Sequence, residues 1–96
     1  MKVLAIIDVA PDAPMEIVRE HLRDELEESW ALFAAGVLRE AYATSASTRV
    51  VFVLEADDAA RAEELLRNLP LIAAGHLRLE LMELRPFVNW SMLFPH

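Results

Sequence analysis

The alternation of apolar and polar side chains divides the chain into six elements and a tail. From Met1 to Val9, Val3, Ala5, Ile7 and Val9 fall on one side and Leu4 and Ile6 on the other, so both faces are apolar until Asp8. A strand of that kind belongs in the middle of a sheet. Ala10-Pro11-Asp12-Ala13-Pro14 interrupts it. Asp12 is the expected N-cap of the next element, with Pro14 in the first turn, where a missing N–H is harmless. Met15, Val18, Leu22, Leu26, Trp30 and Phe33 then recur at steps of three or four, which predicts a helix over 15–35 with one apolar stripe, stopped by Gly36. Val37 to Thr44 is a strand of mixed character, with Val37, Arg39, Ala41 and Ala43 on one face and Leu38, Glu40, Tyr42 and Thr44 on the other. Beyond the turn Ser45-Ala46-Ser47-Thr48, the stretch Arg49 to Glu55 is again apolar on both faces. Asp57 or Asp58 caps a second helix that runs to about Asn68 and ends at Pro70. His76 to Leu84 is the last strand, with Leu77, Leu79 and Leu81 on one face and His76, Arg78, Glu80 and Met82 on the other.

The order β-α-β-β-α-β is that of the ferredoxin-like α+β fold. In its usual sheet order, 4-1-3-2, strands one and three are central, and these are the two that the pattern makes apolar on both faces. Residues 1–85 then form one ferredoxin-like domain, a four-stranded antiparallel sheet with two helices on one face. The other sheet face is left without cover, and an apolar patch of that size calls for a partner. A face-to-face homodimer is the simplest solution. Residues 86–96 form an arm rich in large apolar groups, expected to lie on the dimer partner; the alternative is that it folds back over its own sheet.

Charge narrows the function. Nine cationic and sixteen anionic side chains give a net charge of −7. That opposes binding to nucleic acid or to an anionic membrane, since both require cationic density. The chain has no cysteine, hence no thiol nucleophile or zinc–thiolate site. No apolar run approaches the roughly 20 residues of a membrane span. A cytoplasmic location is the resulting expectation.

Few residues are placed for chemistry. His21 sits among charged helix neighbours, and His96 is terminal. His76 opens the last strand on the face that carries Arg78 and Glu80; this makes His76 and Glu80 candidate acid–base groups and Arg78 a candidate substrate contact. Arg39 is a candidate clamp for a carboxylate, with Tyr42 beside it, although a spacing of three puts the two on opposite faces unless a bulge intervenes. Glu40 is a further candidate base. The acidic run Asp24 to Glu28 reads as a solvated helix face. The histidines are too far apart for a metal pair, and with only Gly36 and Gly75 there is no phosphate loop, so no metal and no cofactor are expected.

Three segments carry a resemblance to a known family: Gly36-Val37-Leu38-Arg39-Glu40-Ala41-Tyr42, Val50-Val51-Phe52-Val53 with the acidic helix start at Asp57, and Asn68-Leu69-Pro70-Leu71. In this order and spacing, the stretch from about Asp24 to Leu84 resembles muconolactone isomerase and its relatives among the dimeric α/β barrels. Glu25 and Glu27 fall where that family tends to have acidic residues. The resemblance implies a homodimer or larger assembly, a small anionic or aromatic-derived metabolite as ligand, and a cofactor-free isomerase that shifts a double bond in an unsaturated lactone by proton transfer. Arg39 would anchor the substrate, Tyr42 shape its pocket, and His76 or Glu80 move the proton. The family's histidine and aromatic between the second and third strands are replaced here by Ala46-Ser47-Thr48, and the tail differs. The alternative function is a non-catalytic carrier or an accessory dimerisation module. An enzyme would gather Arg39, Tyr42 and one of His76, Glu80 or Glu40 around a single cavity.

Overall fold

The computed structural model describes residues 1–45 and 47–94; Ala46 of the expected turn and Pro95 and His96 of the arm lie outside the described residues. Eight elements succeed one another: β1 (Lys2–Val9), α1 (Met15–Ala34), β2 (Leu38–Ala43), β3 (Val50–Glu55), α2 (Ala59–Leu66), α3 (Pro70–Ala73), β4 (Leu77–Leu84) and a 3₁₀ helix (Val88–Leu93). The four strands form one antiparallel sheet in the order β2-β3-β1-β4. The two strands that are apolar on both faces are therefore central, as their pattern requires, and the fold is ferredoxin-like.

Register settles which side chains share the helix layer. Val3 faces Leu54, Ala5 faces Phe52 and Leu81, and Ile7 faces Val50 and Leu79. All of these but Val3 pack with Leu66 and Leu69 of the α2 region and Ile72 of α3 into one core. The opposite face presents Leu4, Ile6, Val51, Val53, Met82 and Leu84, and none of the described helices covers it.

Local chemistry places the helix ends. Asp58, not Asp57, caps α2: its carboxylate accepts from the Arg61 N–H at 2.8 Å. Asp12 does not cap α1. The helix begins one residue after Pro14, whose carbonyl accepts from Ile17 and Val18, because proline fixes the entry backbone and has no N–H to satisfy. At the other end Gly36 has φ +80°; its N–H bonds to the Phe33 carbonyl and that of Val37 to Leu32. This is a Schellman stop that uses glycine's access to the left-handed region. α2 stops at Leu66 with Arg67 as its C-cap, short of the expected Asn68, so Pro70 does not end that helix but begins another. It stands at the first position of α3, a turn absent from the hydrophobic pattern because four residues are too few to show a period.

The arm does not return to its own sheet. Every described residue from Arg85 to Phe94 is exposed, Trp90, Met92, Leu93 and Phe94 included. The radius of gyration, 15.7 Å, exceeds the ~12.5 Å of a compact chain of this length, as a projecting arm requires. No described helix is long and apolar enough to cross a membrane.

Candidate functional site

Most of the apolar stripe of α1 is not part of the core. Val18 is buried, whereas Leu22, Leu26, Trp30 and Phe33 remain exposed, Leu26 by 58% and Trp30 by 68%. The second half of the helix stands off the sheet and leaves a cavity of about 980 Å³ between itself and strands β2 and β3. Leu22, Leu26, Trp30 and Phe33 form the helical wall, and Leu38, Ala41, Val50 and Phe52 form the sheet wall. The Trp30 and Phe33 rings stack, with centroids 5.3 Å apart and planes inclined by 26°. A large, mostly apolar cavity with a few polar groups is the usual form of a small-molecule site.

Glu25 is the polar group set deepest in it. It belongs to the acidic run read as a solvated helix face, yet it is only 6% exposed and lines the cavity. Its Oε1 accepts from the Leu71 N–H at 2.8 Å, satisfying one of the unpaired donors in the first turn of α3. Burial pushes the Glu25 carboxyl above the ordinary glutamate range, and the Leu71 N–H pulls against that shift. A carboxyl displaced in this direction keeps its proton to higher pH than an exposed glutamate and is a better acid–base group for it. The sequence did carry a signal for it. Glu25 lies seven residues after Val18 and three after Leu22, on the apolar stripe itself.

At the rim stand Arg39, Glu40 and Tyr42, all lining the same cavity. The β2–β3 pairing shifts between Leu38 and Glu40, leaving Arg39 as the extra residue of a bulge. One added residue turns the odd spacing of Arg39 and Tyr42 into an even one; Glu40 and Tyr42 pair with Val53 and Val51, on the sheet face away from α1, so they border the cavity only along the open edge of β2. The Tyr42 hydroxyl donates to Glu40 Oε1 at 2.6 Å. That hydrogen bond, followed by the carboxylate's charge, raises the phenol above its usual value. The Arg39 Nε donates to the Gly36 carbonyl, which holds the guanidinium stem against the end of α1.

The other sequence-predicted residues lie elsewhere. Arg78 and Glu80 are on β4, at the opposite edge of the sheet from β2, about 14 Å away at the ordinary strand spacing. They line a smaller space of about 340 Å³ on the uncovered sheet face, with Asp8 and Arg49. Asp8 accepts from the Thr48 hydroxyl at 2.6 Å and the Val9 N–H at 2.8 Å. Those bonds, led by Thr48 and joined by the charges of Arg49 and Arg78, hold its carboxyl below the usual range. His76 precedes β4, half-buried; its carbonyl accepts from Ala10, and it lines neither space. Among the described residues no three acidic or histidine side chains gather as a metal site.

Neither a family model nor a curated protein sequence matches the chain. Solved structures do. A muconolactone isomerase shares 18% identity, with a TM-score of 0.71 over 91% of this chain and 93% of its own. A 5-chloro-2-hydroxyhydroquinone dehydrochlorinase from Burkholderia phenoliruptrix AC1100, solved with 2,5-dihydroxybenzoquinone, shares 15% identity, with a TM-score of 0.70 over 88% of this chain and 94% of its own. At such identities the likeness concerns the path of the backbone. The chain has the ferredoxin-like fold of the muconolactone isomerase-like proteins.

Proposed function

We propose that the cavity between α1 and β2 binds an aromatic-derived metabolite and that Glu25 transfers a proton within it, using side-chain acid–base chemistry alone. The observation that carries this reading is a buried carboxyl with a raised pKa in the wall of a mostly apolar cavity. Such a carboxyl can take a proton from an activated carbon and return it to another position, which is the requirement for moving a double bond. Arg39 and the Tyr42–Glu40 pair stand at the rim, where they would orient a polar edge of the ligand. The fold supports the reading only by analogy: a muconolactone isomerase and a dehydrochlorinase, both named for ring substrates, are built on it.

The same proposal includes a second copy of the chain on the uncovered sheet face. Leu4, Ile6, Val51, Val53, Met82 and Leu84 lie there without a helix, and the apolar arm projects where a partner could receive it. The non-catalytic reading, a carrier or accessory module, rests on the separation of His76, Arg78 and Glu80 from the cavity.

The test is thermal stabilisation against lactones, muconate-like diacids and small phenols, with mass in solution recorded alongside. A ligand at a hundredfold excess over its Kd stabilises the native state by about 2.7 kcal/mol. The expected result is a shift with ring compounds that is reduced in Leu26→Arg, and a dimeric or larger mass. No shift with any compound removes the ligand site, and a monomer removes the second copy.

A further inference from the structure

We infer that the ligand of this site is an uncharged hydroxyaromatic of three or four fused rings, rather than a single-ring acid. The inference rests on the reading of the cavity as a ligand site and concerns which ligand fills it. Size is the first argument. A dry cavity of about 150 Å³ accommodates one benzene ring, and this one measures about 980 Å³. Even with its mouth left to water, a single ring leaves most of the apolar wall unburied. The helical wall runs from Leu22 to Phe33, about 16 Å along the α1 axis, so the space is a slot longer than one ring.

The surfaces match a flat, extended body. The stacked Trp30 and Phe33 rings lie on one side, with Phe52 on the sheet side, and aromatic faces gain most from other aromatic faces. Charge is the third argument. The cations in the lining are Arg23 and Arg39. Arg23 is paired with Glu27 at 3.1 Å, while Arg39 is bonded to the Gly36 carbonyl and contributes to holding the Glu55 carboxyl low. The lining also holds three glutamates, Glu25, Glu27 and Glu40. With three glutamates against two arginines the lining disfavours a carboxylate ligand, which would also lose its hydration. A phenol or hydroxyquinone loses far less, and its hydroxyl can meet Glu25.

The test uses the intact chain and a ladder of phenol, 2-naphthol and 1-hydroxyanthraquinone, with 2-naphthoate as the charged match for 2-naphthol, read by calorimetry. Affinity is expected to tighten by at least about a hundredfold from phenol to the three-ring compound, as added buried apolar area requires. 2-Naphthol is expected to bind more tightly than 2-naphthoate. Ala41→Phe, which places a ring in the sheet wall at an exposed edge-strand position that tolerates aromatics, should cut the gain in affinity from phenol to three rings to less than about tenfold. Affinity that is flat or falls with ring number, tighter binding of the naphthoate, or a ladder unchanged by Ala41→Phe overturns the inference. In each of those cases the ligand site itself stands. If no compound of any size binds, the site and the inference fall together.

Discussion

Glu25 has two separable roles, a hydrogen-bond acceptor for α3 and a titrating group in the cavity, and two substitutions distinguish them. Glu25→Gln keeps a carbonyl oxygen for the Leu71 N–H, which the carboxylate accepts at 2.8 Å, but cannot carry a mobile proton. Glu25→Ala removes the acceptor as well. Leu71 is 1% exposed, so its N–H is left without a partner at a cost of about 1–3 kcal/mol. At 4–8 °C per kcal/mol for a domain of this size, a mid-range loss of about 2 kcal/mol lowers Tm by about 8–16 °C. The pH dependence then isolates the charge. Burial raises the Glu25 carboxyl in the folded state, so the folded chain holds its proton to higher pH than the unfolded chain. Below the unfolded glutamate pKa, about 4.3, both states are protonated and the group imposes no penalty. As pH rises from there through the folded pKa, the unfolded state ionises first and the wild type loses stability. The glutamine variant has no such loss. Thermal unfolding of the three proteins across that window should show the wild type falling relative to Glu25→Gln with rising pH, and Glu25→Ala low throughout. A difference between wild type and Glu25→Gln that is constant or grows in the wild type's favour with pH would refute the reasoning, as would an alanine variant as stable as the glutamine one.

Three further outcomes are expected. Tyr42 is the only tyrosine, so its phenolate absorbance is unambiguous; it should titrate above the ordinary value of 10.0, and Glu40→Gln should bring it down. The depressed Asp8 carboxyl contributes stability present above its unfolded pKa and lost as pH falls through its folded one, so Thr48→Val should lower Tm at neutral pH and converge with wild type in acid. Gly36→Ala should cost about 1–2 kcal/mol in denaturant unfolding, although an added Cβ meets nothing within 4 Å, because the backbone there has φ +80°.

The fold was legible because a period of two records which faces of a strand are buried. Val3, Ala5 and Ile7 against Leu4 and Ile6, and the same doubling in β3, placed both strands at the centre before any contact was known. The site was less legible. A bulge adds one residue to β2 without altering its composition, so the even spacing of Arg39 and Tyr42 stayed hidden. Glu25 stands in a run of four acidic residues among five, and its neighbours Asp24, Glu27 and Glu28 are indeed exposed; only its place on the Val18–Leu22 stripe marks it. Leu26, Trp30 and Phe33 look like core at their spacing, since a helical period reports which way side chains point, not whether the facing layer reaches them. Arg78 and Glu80 were grouped with Arg39 by chemistry, whereas the sheet order sets them at the opposite edge.

The central claim is that Glu25 moves a proton in a ligand held between α1 and β2. Its most direct test is deuterium uptake from solvent at an enolisable carbon of a bound ring compound, followed by NMR with wild type and Glu25→Gln at ligand concentrations that saturate both. The account predicts protein-dependent exchange in the wild type and its loss in the glutamine variant, with binding retained. Equal exchange in the two proteins, or none in a saturated wild type, would contradict it.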